Sequence, residues 1–278
     1  MSRAVLRACA LMAFVMAGGP ARPVAAAPES VKAAVFRSTG TQWLGQTIWR
    51  ELNAQWSLFG NVPVEIDYTS LASYRITLEQ LDATEANVII MSAPGYATYT
   101  EAEIDALIDY VEAGHGLIYT YGLFRSEDRR LAPLVGLSSG VQCQANTWPN
   151  PYSYNVLVPD HPVFEGITGD YPTGIPYLAS AQPLGVGEWP VTTGQILARA
   201  RPTFDQWTGN GIILANDPGT YRGLYFAHYI EDKSGGADQE DMQVFYNGLL
   251  WTAGVPEPGT CLMMLTGAAF LTRRRGRR

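Results

Sequence analysis

Residues 87–122 read NVIIMSAPGYATYTEAEIDALIDYVEAGHGLIYTYG, and they contain a complete strand–helix–strand unit. The opening run, 87–93, is continuously apolar, the pattern of a strand covered on both faces. Thr100 and Glu103 then stand at the spacing of a capping box, so a helix starts there. Ile104, Leu107, Ile108 and Val111 follow at helical spacing, and Gly114 and Gly116 stop the helix. Residues 117–122, LIYTYG, form the second strand. Two strands joined through a helix and short loops make a βαβ unit, which sets the class as α/β.

The alternation extends outward from this unit. Strands are expected at 32–38 and 62–68, and helices at 40–57 and 77–85, the first with Leu44, Ile48 and Leu52 on one face. After residue 125 the rhythm is lost. Residues 142–154 read as an aromatic, polar loop, and short strands are expected at 154–158, 194–200 and 211–215. A strong strand follows at 222–230. Asp238 is the expected N-cap of a closing helix whose buried stripe is Met242, Phe245, Tyr246, Leu249 and Leu250.

Composition agrees with a packed body. Of 278 residues, 47% are hydrophobic and 16% charged, which is too apolar for a disordered chain. Eight of the 19 basic residues sit at the two ends: Arg3, Arg7, Arg22, Arg273, Arg274, Arg275, Arg277 and Arg278. That leaves 11 against 26 acidic residues, a net of −15 for the middle. Such a body repels phosphate, so no nucleic-acid partner is expected.

The ends carry their own patterns. At the start, Arg3 and Arg7 precede an apolar stretch over 8–17, and small residues lead to a cleavage site after Ala26; residues 1–26 read as a signal peptide. At the finish, Val255-Pro256-Glu257-Pro258 is followed by an apolar run over 261–272 and then by Arg273, Arg274 and Arg275. Pro256 and Pro258 keep the motif extended. The apolar run can enter a bilayer though it is short for a full span, and the arginines hold its far end on the cytoplasmic side. Residues 255–278 resemble the PEP-CTERM sorting tail of Gram-negative bacteria. The resemblance implies export machinery and an exosortase-type membrane peptidase as partners. It also implies transient membrane anchoring through the tail, then the cell surface or extracellular matrix. Cys9 and Cys261 fall in the two ends, so the body holds Cys143 alone and has no internal disulfide. A single thiol is more often an inert buried residue than a nucleophile.

Residues 87–122, DHPVFEGI at 160–167, and RGLYFAHYIED with FYNGLLWTAG near the end are together similar to class I glutamine amidotransferase-like domains, in their trehalose-utilisation-like branch. The similarity spans 30–254. It implies a flavodoxin-like three-layer α/β/α sandwich with a mostly parallel sheet, flanked by a signal helix and a hydrophobic tail helix. In catalytic members a cysteine stands on a sharp turn after a central strand, and a histidine and an acid complete the triad. The matching strand end here is Thr120-Tyr121-Gly122-Leu123, without a cysteine, and neither G-x-C-x-G nor G-x-S-x-G occurs in the chain. His228 matches the family histidine, and Glu231 lies three positions on, not two. A histidine and an acid without a nucleophile do not perform acyl transfer by the usual route, so glutamine hydrolysis is not expected.

The candidate catalytic residues are therefore His228, Glu231 and Tyr121, weighed against a hydrogen-bonded structural role for His228. Tyr96, Trp148 and Tyr152, with Tyr99, Tyr121 and Tyr154, fall in expected loops or at strand ends, where flat rings suit sugar faces or ordinary packing. His115, between glycines, is expected at the surface, and His161 as a local hydrogen-bond partner before Pro162. Glu231, Asp232, Asp238, Glu240 and Asp241 match no EF-hand spacing and read as a solvated acidic loop at a helix start. No metal and no cofactor is expected. Two functions stay open: a non-catalytic binding or structural module, and a carbohydrate-active enzyme using His228 with a further partner. Convergence of His228, Glu231 and Tyr121 in one accessible pocket favours the enzyme; a filled crevice at the strand ends favours the module.

Overall fold

Four parallel strands carry the first half of the chain: β1 (Val31–Arg37), β2 (Val64–Asp67), β3 (Val88–Ser92) and β4 (Gly116–Thr120). The computed structural model describes residues 29–37, 47–69, 76–92, 99–122, 124, 126–147, 152–173, 177–181, 189–201, 211–232 and 237–255. The expected signal segment and the tail beyond Val255 lie outside the described residues. Among the described residues, no helix is long and apolar enough to cross a membrane. Four helices complete the frame: α1 (Trp49–Gln55), α2 (Leu78–Ala83), α3 (Glu101–Glu112) and α4 (Gln239–Thr252). The expected helix over 40–57 is shorter in its described part, with Ile48 and Leu52 buried; Leu44 lies outside the described residues.

The capping logic holds. Thr100 accepts from the Glu103 backbone N–H, and the Glu103 carboxylate accepts from the Thr100 N–H at 2.8 Å. Asp238 caps α4 in the same reciprocal way with Asp241. At its other end α4 closes on Gly254, whose φ is +77°. The Gly254 N–H donates to Trp251 and the Val255 N–H to Leu250, the two bonds of a Schellman motif. The Pro-Glu-Pro motif therefore begins just outside the last capped turn.

The second half of the chain extends the sheet differently from expectation. Further strands are β5 (Cys143–Thr147), β6 (Tyr152–Val156), β7 (Tyr171–Thr173), β8 (Tyr177–Ala181), β9 (Gln195–Arg201), β10 (Ile212–Asn216) and β11 (Gly223–Phe226). The main sheet runs β2-β1-β3-β4-β11-β10-β9-β6-β7, and β5 pairs with β8 separately. β11 is parallel to β4, but every pairing beyond it is antiparallel. The sheet is thus evenly mixed, not mostly parallel. The reason lies in the connections: β10 returns to β11 through a six-residue turn over 217–222, and a hairpin of that length can join only antiparallel strands. Residues 142–154, expected as a loop, supply β5 and the start of β6. The expected strand at 222–230 ends at Phe226, so His228 and Glu231 stand beyond it.

β11 separates the two faces. Phe226 packs on Phe245 of α4, with ring centroids 6.0 Å apart. Tyr225, pointing the other way, meets Tyr119, Phe124 and Trp189 at 6.2, 5.3 and 5.5 Å. A 3-10 helix over Ser126–Val135, absent from the sequence reading, covers this second face. Its Leu134 carbonyl oxygen would lie 2.1 Å from a Cβ at Gly223, so only glycine allows that approach.

Candidate functional site

Open α/β sheets build their sites outside the carboxyl ends of the strands. Here that edge begins with a strained turn after β4. Tyr121 has φ +46° and Phe124 φ +47°, left-handed values that cost a residue with a side chain about 1–2 kcal/mol each. Packing holds both. The Tyr121 N–H donates to the Phe226 carbonyl at 2.9 Å, and its ring stacks on Tyr229 at 6.0 Å. Phe124 lies flat on Tyr119, 4.8 Å away and inclined by 9°. A sharp turn therefore follows β4, and Tyr121 occupies it.

Glu231 fills the neighbouring position. Ser92 and Thr120, the paired last residues of β3 and β4, both donate to Glu231 Oε1, at 2.7 and 2.5 Å. All three residues are fully buried. The Glu231 carbonyl accepts from the Ile48 N–H at 3.0 Å, and Asp232 forms a backbone bridge with Thr47, so this segment also anchors the start of α1. A carboxylate held by two hydroxyls across two strand ends acts as a clamp. Burial of Glu231, Asp232 and Asp241 corrects the expectation of a solvated acidic loop for these three, while Asp238 and Glu240 are exposed as expected. Among the described residues, no cluster of three His, Cys, Asp or Glu side chains is placed to hold a metal ion.

His228 belongs to a second network, on the α4 face. Tyr154 Oη lies 2.9 Å from Nδ1, and Tyr171 Oη lies 3.4 Å from Nε2. Tyr171 donates to Asp241 Oδ1, while Asp241 Oδ2 accepts from the Asp238 N–H at 3.1 Å and from the Thr173 hydroxyl at 3.4 Å. The ring edge of Phe226 closes one side, 5.7 Å away at 83°. His228, Tyr154, Tyr171 and Asp241 are all 0% exposed. Burial lowers the His228 pKa to about 3. Burial also raises the Asp241 carboxyl to about 7, outweighing the hydrogen bonds from Tyr171 and the Asp238 backbone. The 4.0 Å approach of His228 Nε2 to Asp241 Oδ1 is consequently a contact of neutral groups through the mildly acidic range, and not an ion pair.

The described hydrogen bonds tie Glu231 to the strand end beside Tyr121, and His228 to the α4 face. Tyr121 is in the turn, Glu231 in the strand-end clamp, and His228 in the tyrosine–aspartate cage. Tyr96 and Trp148 lie outside the described residues, and Tyr152 opens β6 opposite Thr173. Tyr99 is buried against Phe36 at 5.5 Å, where it packs, and Tyr154 is buried beside His228, so neither ring offers an exposed face to a ligand. Cys143 comes closer to the turn than its sequence distance suggests. Its thiol lies beside Tyr225, whose hydroxyl donates to the Gly122 carbonyl at 3.0 Å. Burial, with Cys143 beside it, raises the Tyr225 pKa well above the ordinary value.

Sequence reading missed Tyr171 and Asp241. The signal for Asp241 as a capping residue was present in the Asp-x-x-Asp spacing at α4, but its second partner sits 70 residues away on β7. His115 is half-buried rather than at the surface, stacked on Tyr110 at 3.8 Å with Nδ1 3.1 Å from the Ala86 carbonyl. His161 accepts from the Val163 N–H at 3.3 Å, as its place before Pro162 suggested. An open polar depression of about 320 Å³ lies at the start of α4, lined among others by Asp170, Gln239, Glu240 and Gln243. None of the residues chosen from sequence as catalytic or ligand-binding candidates lines it.

No family model matches the chain, and no curated protein matches it. Solved structures do. The chain is similar to a ThuA-like protein from Bacteroides uniformis, with 20% identity, a TM-score of 0.56, and coverage of 84% of this chain and 95% of that one. A ThuA-like protein from Parabacteroides merdae gives 13% identity and a TM-score of 0.51, covering 81% and 90%. A cytoplasmic protein from Salmonella typhimurium gives 11% and 0.51, covering 80% and 98%. At these identities the likeness is one of architecture. The chain has the α/β fold found in ThuA-like proteins, as the resemblance of residues 87–122 implied.

Proposed function

We propose that this chain is exported, sorted to the surface by its C-terminal tail, and serves there as a non-catalytic binding or structural module of the envelope or extracellular matrix. One observation carries the reading: Glu231 and His228 are fully buried and hydrogen-bonded, Glu231 to Ser92 and Thr120 and His228 to Tyr154 and Tyr171, and Tyr121 stands on the turn where the resemblance would put a nucleophile. A phenol, with an ordinary pKa of about 10, is a poor substitute for a thiolate. The enzyme alternative asks His228 to reach a substrate, and its complete burial speaks against that. Carbohydrate is the ligand class to screen first, by analogy with the trehalose-utilisation-like branch. The test is ammonia release from glutamine together with a glycan and metabolite binding screen, both on residues 28–254. The expected result is no release above background and saturable binding of at least one ligand. Ammonia release that disappears in Cys143→Ser would overturn the non-catalytic reading.

Sorting has its own support. Residues 1–26 carry the export pattern, and 255–278 carry motif, apolar run and arginines in order. The Schellman cap at Gly254 ends α4 just before Pro256, so the helix does not run into the motif. Mass spectrometry of protein released from the surface of the producing cells is expected to find a C-terminus between Pro256 and Gly259. Intact surface protein ending at Arg278 would sink the sorting proposal.

A further inference from the structure

We propose that Tyr154, His228, Tyr171 and Asp241 form a reversible hydrogen-bond chain, in which loss of the Asp241 proton switches the His228 ring from its Nδ1–H to its Nε2–H tautomer. The geometry carries the idea. The groups stand in line: Tyr154 Oη, 2.9 Å, Nδ1; then Nε2, 3.4 Å, Tyr171 Oη; then Asp241 Oδ1 in direct contact. A neutral imidazole has one donor and one acceptor nitrogen, so it transmits a direction along such a line. Each hydroxyl both donates and accepts, so it transmits the same direction.

Two arrangements satisfy both ring nitrogens, Tyr171 and the carboxyl of Asp241. With Asp241 protonated, its O–H donates to Tyr171, Tyr171 donates to Nε2, and Nδ1–H donates to Tyr154. With Asp241 ionised, the line reverses: Tyr154 donates to Nδ1, Nε2–H donates to Tyr171, and Tyr171 donates to the carboxylate. The balance is one proton. The two arrangements differ by the one proton that Asp241 loses to solvent; Tyr171, the ring and Tyr154 each hold as many protons as before, and only their donor directions change. No oxidant or reductant is involved, and the ring is neutral in both states.

The surroundings suit this. Asp241 is faced by Asp238 from its own helix and by Tyr171 and Thr173 from β7. His228 is faced by Tyr154 from β6, Tyr171, and the edge of Phe226 from β11. No cationic side chain is among these described neighbours to pin Asp241 in its ionised form. Burial keeps the ring neutral down to about pH 3 and places the carboxyl transition near pH 7. Asp241 is also the third residue of α4 and accepts from the Asp238 N–H in the capping box. Its charge therefore sets how firmly the first turn of α4 is held, because an ionised acceptor at a helix start bonds more strongly than a neutral one. The chain makes the α4 start, β7, β6 and the segment after β11 report one protonation event.

Nitrogen-15 NMR of histidine-labelled full-length protein, titrated from about pH 5 to about pH 9, reads the tautomer directly. His228→Gln identifies the His228 signals among those of the three histidines. The expected result is that the unprotonated nitrogen moves from Nε2 to Nδ1 near pH 7, without an imidazolium stage. Asp241→Asn should fix one tautomer across the range. Should that variant fail to fold, Tyr171→Phe cuts the line at its centre and should likewise leave the tautomer independent of pH. One unchanging tautomer in the unsubstituted protein would overturn the proposal. So would an imidazolium signal across this range, or a switch that survives either substitution.

Discussion

Asp241→Asn is expected to make stability rise with pH between about 4 and 6.5, by about 3–4 kcal/mol relative to the parent protein. The parent contribution in this window is flat because two opposed terms cancel. Asp241 titrates at about 7 in the fold against an ordinary 3.8, so its stabilising part is complete below 3.8 and is lost as pH rises through 7. His228 titrates at about 3 against 6.5, so its part is complete above 6.5 and is lost as pH falls through 3. Between those limits the folded pair is a carboxylic acid beside a neutral ring, and the unfolded pair is a carboxylate and an imidazolium. Each state binds one proton, so the slope vanishes. The Asp241→Asn substitution removes the falling term and leaves the rising one, over about 2.7 pH units at about 1.4 kcal/mol per unit. His228→Gln leaves the other term, and its stability should fall with pH across the same window. Urea unfolding of the three proteins at a series of pH values separates these slopes from the constant offset of each substitution. His161, lowered to about 4 by burial and then by Arg222, is common to all three and cancels in the differences. Parallel profiles would show that the pair is not held neutral.

This coupling was invisible in the sequence, although His228 itself was picked out. The central βαβ unit is the part that local sequence encodes. β3, α3 and β4 are encoded by one apolar run, one capping box at Thr100 and Glu103, and connections too short for any other arrangement. The strands expected at 154–158, 194–200 and 211–215 fall on β6, β9 and β10, but the antiparallel pairing of this half was not legible. β5 is polar and short, and its partner β8 lies some thirty residues on, so no window of sequence contains both. The site failed for the same reason. His228 and Glu231 are three residues apart, yet one turns toward α4 and the other back over the ends of β3 and β4. Tyr171, which joins His228 to Asp241, belongs to a three-residue strand with no periodicity to announce it. The position of the turn after β4 was legible by family resemblance, but its left-handed φ was not, because Tyr121 and Phe124 replace the glycine that usually marks such a conformation.

That turn supplies the second large effect. Gly122→Ala is expected to destabilise the protein by about 3–5 kcal/mol, above the usual range for overpacking. A Cβ at Gly122 would stand 1.7 Å from Cε1 and 2.2 Å from Cδ1 of Tyr119. Tyr119 has no room to withdraw: its hydroxyl donates to Asp128 at 2.9 Å, Phe124 lies flat against its ring, and it is fully buried. The backbone cannot swing away either, because the Gly122 carbonyl accepts from Tyr225 and the Tyr121 N–H is tied to Phe226. Gly140→Ala is the matched control, since its Cβ would meet only Ser138 Oγ at 3.6 Å, and a change within about 0.5 kcal/mol is expected there. Chemical denaturation of both variants, with Tyr119→Leu and the Tyr119→Leu/Gly122→Ala pair, completes a cycle. The double variant should lose much less than the two single losses combined, because removing the ring removes the clash. A Gly122→Ala protein within about 0.5 kcal/mol of the parent would mean that the turn opens easily. Such a turn would leave room for a substrate beside Tyr121 and would favour the enzyme reading over the non-catalytic one.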